Sequence, residues 1–407
     1  MKPLHFLSLC AGALLASLAG AVTFSGSTTT SLLVTDRPTR IDSTFLRVPV
    51  FETLAFRLAG IGSERLSFDG SIRGWQDLND KAAERSDLRL LRARLHWVDR
   101  QAGIDASLGR QFVVEGVGRT YLDGLLIRKR ISRFSLSGFF GAPLRRGTDD
   151  WEYWSGAALQ WGAYGRARLS NRALVGVSYT EMQRDEGLGL RLVGADGTAR
   201  LTDRQTLELR ADINAAKGDV DRASAWWLYQ RTPKEFLTIE GRYHGPRLLA
   251  TSFLDSIDHH GYGRLTASYV RPIVGDLRAY VAANGLIIDN SVGATTDVGV
   301  WWRSLRVSYL FSTTRAATGH GITLHGSYQI TPHLTVGGRT NWARFELDKS
   351  DEENQAIGSA AWVTVTPVPR LDLTTEVHEI TTDDFDYQFE GLVVVRYRFG
   401  KNIGFRR

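Results

Sequence analysis

Apolar and polar residues alternate with a period of two along most of this chain. In residues 206–214, Leu207, Leu209, Ala211 and Ile213 alternate with Thr206, Glu208, Arg210, Asp212 and Asn214. In 370–378, Leu371, Leu373 and Val377 oppose Asp372, Thr374, Glu376 and His378. Leu66, Phe68 and Ile72 oppose Arg65, Ser67, Asp69, Ser71 and Arg73 in the same way. So do Leu91, Ala93, Leu95 and Trp97 against Arg92, Arg94 and His96. Successive side chains of a strand point to opposite faces, so each segment predicts a strand with one oily and one charged face.

A soluble sandwich also alternates, with its apolar face inward. Three features point instead to a membrane barrel. The segments run for about 9 to 14 residues, enough to cross a bilayer when tilted, whereas soluble strands average about five or six. They continue from residue 22 to residue 399 with no helical stretch or linker. Aromatic residues also recur near segment ends on the apolar face: Trp97, Tyr179, Tyr243, Tyr309, Tyr328, Trp342, Tyr397 and Phe399. An interfacial girdle places them there.

The connections predict the topology. Gly62-Ser63, Arg100-Gln101-Ala102, Ser170-Asn171-Arg172, Asp203-Arg204, Thr232-Pro233-Lys234, Thr331-Pro332-His333 and Pro367-Val368-Pro369 have the residues of tight turns. Longer polar connections fall between them, at Thr35–Ser43, Gln76–Arg85, Pro143–Asp150, Gly245–Asp258, Asp348–Asn354 and Thr381–Asp386. Short periplasmic turns alternating with longer outer loops are the habit of a bacterial barrel. The fold expected is all-β: one transmembrane antiparallel up-and-down barrel of about 22 strands, within a range of about 18–22.

Residues 1–21 read as a cleaved signal peptide, leaving 22–407 as the barrel domain. Lys2 is the basic region, Leu4 to Leu18 the apolar run, and Ala19-Gly20-Ala21 the cleavage pattern. The single Cys, Cys10, falls in this leader, and Leu9 is too large to precede a lipidated cysteine. The mature chain then has no disulfide, thiolate metal site or covalent haem attachment. A net charge of +6 could suggest nucleic acid, but the Arg residues are spread without a basic block, so no nucleic-acid partner is expected.

Leu108-Gly109-Arg110-Gln111, followed by Leu122-Asp123-Gly124-Leu125, resembles a pair of consecutive strands seen in Gram-negative porin-like outer-membrane proteins. Tyr397-Arg398-Phe399 is similar to the closing aromatic pattern that the barrel assembly machinery reads, with Tyr397 and Phe399 as the signal. Here Gly400 to Arg407 follow it, where porins usually end on the aromatic. The resemblance implies an outer-membrane location, contact with its lipid, and passive diffusion of small polar or anionic solutes. General porins narrow the lumen with a long third outer loop. The corresponding segment here, about Val113 to Thr120, is expected to be too short to reach the centre of a wide barrel. Barrels of about 22 strands are usually plugged. The chain is thus expected to be narrower, or filled by a periplasmic partner. Barrels that sheathe a multihaem cytochrome in a trans-membrane electron conduit are the alternative reading.

The polar face supplies the candidate pore lining. The expected inward cations are Arg65, Arg73, Arg92, Arg94, Arg210, Arg242, Arg264, Arg278, Arg306, Arg339, Arg396 and Arg398. The expected inward acids are Asp69, Glu208, Asp212, Glu240, Asp372, Glu376 and Glu390. A wet lumen tolerates these charges, and the excess of Arg predicts a positive interior that concentrates anions. The bland reading of each residue is a brace across the wall.

No catalytic or metal site is expected, and no cofactor. Adjacent His259 and His260 point apart on a strand and chelate poorly. His378 near Asp383 and Asp384 lacks a nucleophile pattern. Gly116-Val117-Gly118 lacks the strand-then-helix setting of a phosphate loop, and the acidic run Asp348 to Glu353 matches no calcium-loop spacing.

Overall fold

A computed structural model describes residues 22–38, 44–79, 86–146, 151–153, 159–184, 187–245, 261–288, 291–314, 317–347, 353–382 and 385–403. The expected leader with Cys10, the His259-His260 pair, Asp383, Asp384 and part of each long polar connection lie outside the described residues.

Twenty-two strands close a single antiparallel barrel. They are β1 (Val22–Pro38), β2 (Pro49–Ala59), β3 (Leu66–Asp77), β4 (Ser86–Asp99), β5 (Ile104–Glu115), β6 (Gly118–Ile131), β7 (Phe134–Arg146) and β8 (Leu159–Ser170). Next come β9 (Ala173–Arg184), β10 (Gly187–Thr202), β11 (Gln205–Asn214), β12 (Asp219–Thr232), β13 (Glu235–His244), β14 (Tyr262–Val274) and β15 (Leu277–Ile288). The last are β16 (Ser291–Trp302), β17 (Leu305–Thr313), β18 (Ala317–Thr331), β19 (Leu334–Leu347), β20 (Glu353–Val368), β21 (Leu371–Thr382) and β22 (Phe385–Ile403). Two short strands, Thr44–Arg47 on upper β1 and Trp151–Tyr153 on upper β7, lengthen the wall at one end. Each strand pairs with the next, and β22 returns to β1 from Val22↔Ile403 to Thr35↔Glu390. Closure removes every sheet edge, which a strand structure in hydrocarbon requires.

The end that carries Val22 has ten turns, eight of them only two residues long. They include every turn read from the sequence, and also Ser132-Arg133, Gly275-Asp276 and Arg303-Ser304, which that reading did not single out. At the other end the connection read as short from the sequence is a two-residue turn: β5 and β6 are joined by Gly116-Val117 alone.

The alternation becomes two faces. Leu207, Leu209, Ala211 and Ile213 of β11 pair laterally with Ala199, Gly197, Ala195 and Val193 of β10, forming one apolar exterior. Leu209 is 51% exposed and Val177 66%, in the row facing lipid. One strand shifts phase. Ser71 pairs with Arg92 but Ile72 pairs with Leu90, so Leu91 is bulged from the ladder. Arg89, Leu91 and Arg92 then line one interior cavity. Leu91 therefore does not share the lipid face of Ala93, Leu95 and Trp97, as strict alternation predicted.

Candidate functional site: an inward hairpin and the lumen wall

The β5–β6 hairpin leaves the wall and folds into the lumen. Pairing of β5 with β4 ends at Ala93↔Arg110, and pairing of β6 with β7 ends at Tyr121↔Leu144. Residues between these points pair only with each other. Their tip meets the inner face of β8 to β11, where Tyr164, Ser178, Gly194 and Asp212 form one lateral row. Val117 N donates to Ser178 Oγ (3.1 Å), and Arg210 Nη2 donates to Gly116 O (2.8 Å). A segment that reaches strands three to five places away must cross the interior. Val113 to Thr120, read from the sequence as too short to reach the centre of a wide barrel, nevertheless enters the lumen and touches the wall at β9 and β11. Its reach comes from the whole hairpin bending at β5, rather than from a long loop.

The porin-like motif builds that bend. Gly109 has φ +114°, and a Cβ there would lie 2.2 Å from Ala93 O, so only glycine suits the position. Arg110 clamps Asp123 with two parallel bonds of 2.9 and 2.7 Å and donates to Leu90 O at 3.1 Å. Gln111 is buried and donates to the carbonyls of Ser107 (3.2 Å) and Gly124 (3.1 Å), while its own carbonyl accepts from Ser107 Oγ (2.5 Å).

Bending turns both hairpin faces to new surroundings. Val113, Leu122, Leu126 and Phe139 pack as one buried cluster between hairpin and wall. Each contributes about 1.5–3 kcal/mol by leaving water. Glu115 on the same face accepts from Arg128 Nε (2.6 Å) and from Ser137 Oγ. The opposite face carries Phe112 and Val114, nearly half exposed, with Phe112 beside Tyr121 at 4.7 Å between ring centroids.

Two cavities adjoin the hairpin. One, about 520 Å³, is lined by Arg57, Arg73, Arg89, Arg92, Asp69 and Tyr121 among others. Asp69 pairs with Arg94 at 2.5 Å and Arg57 at 3.8 Å, and Arg89 pairs with Asp87. Arg73 has only the Thr53 hydroxyl, at 3.2 Å, and Arg92 faces no carboxylate among the described residues. The other cavity, about 640 Å³, lies beneath the tip, with Arg166, Arg210 and Arg242 among Asp196, Glu208 and Glu240.

The candidate lining residues are distributed around the wall. Arg73, Arg92, Arg94 and Asp69 gather on β3 and β4. Arg210, Arg242 and Arg264 follow one lateral row, with Arg242 directly opposite Arg264, and Glu208 and Glu240 flank Trp226 in the row below. Asp212 is buried against Arg210 at 2.9 Å, so this pair serves the hairpin seat. Arg278, Arg306 and Arg339 share another row with Trp301 and His325. Glu376 neighbours His378 (2.6 Å), while Asp372 pairs with Arg398 and lies opposite Arg396, and Glu390 lies opposite His378. Arg65 stands apart, in the turn before β3, bonded to Asp99 at 2.6 Å. Tyr397 and Phe399 adjoin on the outer face of β22, with ring centroids 6.4 Å apart. Arg57, Arg89, Tyr121 and Phe112 escaped the sequence reading. The run Phe112-Val113-Val114, apolar at successive positions, was the signal of a strand that leaves the plain oily-and-wet alternation of the wall.

A closed 22-stranded barrel with an apolar exterior and a charged interior is an outer-membrane β-barrel. No family model matches the chain, and no curated relative does. Solved structures of similar architecture include Pseudomonas aeruginosa OccK2 (OpdF) in complex with glucuronate. It has 10% identity and a TM-score of 0.46 over 94% of this chain and 100% of that one. Pseudomonas aeruginosa OpdQ has 8% identity and a TM-score of 0.46 over 93% and 98%. Acinetobacter baumannii OccAB4 has 10% identity and a TM-score of 0.44 over 95% and 99%.

Proposed function

We propose that this protein is an outer-membrane porin-like channel for passive diffusion of small polar or anionic solutes. The observation that carries the reading is the β5–β6 hairpin folded into the lumen and seated on β9 and β11, with an arginine-rich cavity beside its Phe112–Tyr121 face. The hairpin narrows a barrel too wide to be selective, and Arg73 and Arg92 leave positive charge on the remaining passage. The cytochrome-sheath alternative loses support because the hairpin takes up interior space that an enclosed partner would need. Tyr397 and Phe399 serve in this reading as the assembly signal on the closing strand. Single-channel recording of the purified chain in a planar bilayer tests the proposal. Stable conductance with chloride preferred over potassium is expected. Cation preference would remove the anion reading, and a silent barrel that copurifies with haem protein would replace it with the sheath.

A further inference from the structure

Basic residues recur around the short-turn end of the barrel. Arg65, Arg172, Arg231, Arg303 and Arg398 there pair with Asp99, Asp203, Glu235, Asp276 and Asp372. After these pairs, Arg100, Arg133, Arg204, Lys234 and Arg370 remain, each exposed in a different turn. Their side chains meet no carboxylate among the described residues, and Glu64 is the one exposed acid of these turns left without a basic partner. Five uncompensated cations therefore stand around one rim of the wall.

Outward aromatics fix the level of that rim. Trp97 lies three residues before Arg100, and Phe134 directly follows Arg133. Tyr229, Tyr269 and Trp302 precede the turns after β12, β14 and β16. Arg303 lies over Trp302, 5.6 Å from its ring centre. Rings of this kind sit at the boundary between hydrocarbon and headgroups. At about 3.3 Å per residue, the turn cations lie within about 10 Å of that boundary, at the depth of lipid phosphates.

We infer that this rim is a seat for the headgroups of anionic phospholipids in the periplasmic leaflet. The inference rests on the membrane-barrel reading and on short turns facing the periplasm. One Lys or Arg near an anionic surface corresponds to roughly five-fold in local headgroup occupancy. The seat would hold the barrel at fixed depth, independently of what the lumen conducts.

The full chain is reconstituted in discs of phosphatidylcholine and phosphatidylglycerol in equal amounts, and the lipids retained after partial delipidation are counted by mass spectrometry. Phosphatidylglycerol should be enriched on the order of five-fold, and the R100Q/R133Q/R204Q/K234Q/R370Q variant should lose that enrichment. Wild-type protein at about 1 M salt should lose it too, because screening there acts within about 3 Å. Equal retention of the two lipids, or enrichment that survives in the variant or at high salt, would overturn the seat. Heat-modifiable migration of the same samples separates this result from failure of the barrel itself: a chain that does not insert refutes both readings.

Discussion

Val117 occupies the space that a side chain at Gly194 would fill: a Cβ built on Gly194 lies 2.3 Å from Val117 Cγ1 and 2.7 Å from Asp212 Oδ1. The hairpin tip is thus seated in a notch made by one absent side chain. Gly194→Leu should expel the tip while leaving the ladder intact, since the new side chain points into water. Single-channel conductance should rise, with heat-modifiable migration unchanged. Unchanged conductance would show that the tip does not limit the passage.

The bend at β5 depends on Gly109. Alanine there meets both a positive φ and the Ala93 carbonyl. The backbone strain alone costs about 1–3 kcal/mol, and the carbonyl clash adds to it. Gly109→Ala should lower the urea midpoint of the folded barrel. A neutral substitution would mean that the bend is made elsewhere.

The lipid-facing register also predicts a contrast within one strand. Leu209→Arg should destabilise insertion by about 2–4 kcal/mol near the midplane, because the outward face meets hydrocarbon. Glu208→Gln, one residue earlier on the wet face, should be nearly neutral, since Glu208 is exposed and makes no ion pair among the described residues. Folding into vesicles across a urea series measures both. Equal costs would mean that the faces are misassigned, because a slip of one residue exchanges them.

These faces were legible in the sequence wherever one side of the wall is oily and the other wet, as in β11. Legibility failed where a third surface enters. Leu91 changes phase at a bulge, which is set by pairing with β3 rather than by the residues of β4 alone. Leu122 and Phe139 face inward and are apolar because the hairpin covers them through Val113, a tertiary event that alternation does not encode. Arg210 looked like one more wall cation; its bond to Gly116 O, across 94 residues of chain, makes it part of the hairpin seat. The motif around Gly109 marked the right strands, but its physical purpose became visible only with the bend.

Two neighbouring arginines separate the functional claim from simple bracing. Arg92 and Arg94 lie on the same strand and both face the lumen, yet Arg94 is bonded to the buried Asp69 at 2.5 Å and Arg92 has no carboxylate near it among the described residues. Arg92→Gln removes a charge available to passing ions and breaks no ion pair. Its reversal potential across a salt gradient should move toward cations, with the unfolding midpoint unchanged. Arg94→Gln removes the closest counter-charge of Asp69, leaving only Arg57 at 3.8 Å, and should therefore lower stability as well as anion preference. Both shifts in reversal potential should shrink as salt rises, because screening falls from about 10 Å at 0.1 M to about 3 Å at 1 M. If Arg92→Gln leaves the reversal potential unmoved even at low salt, the arginine wall is scaffolding and does not set what passes.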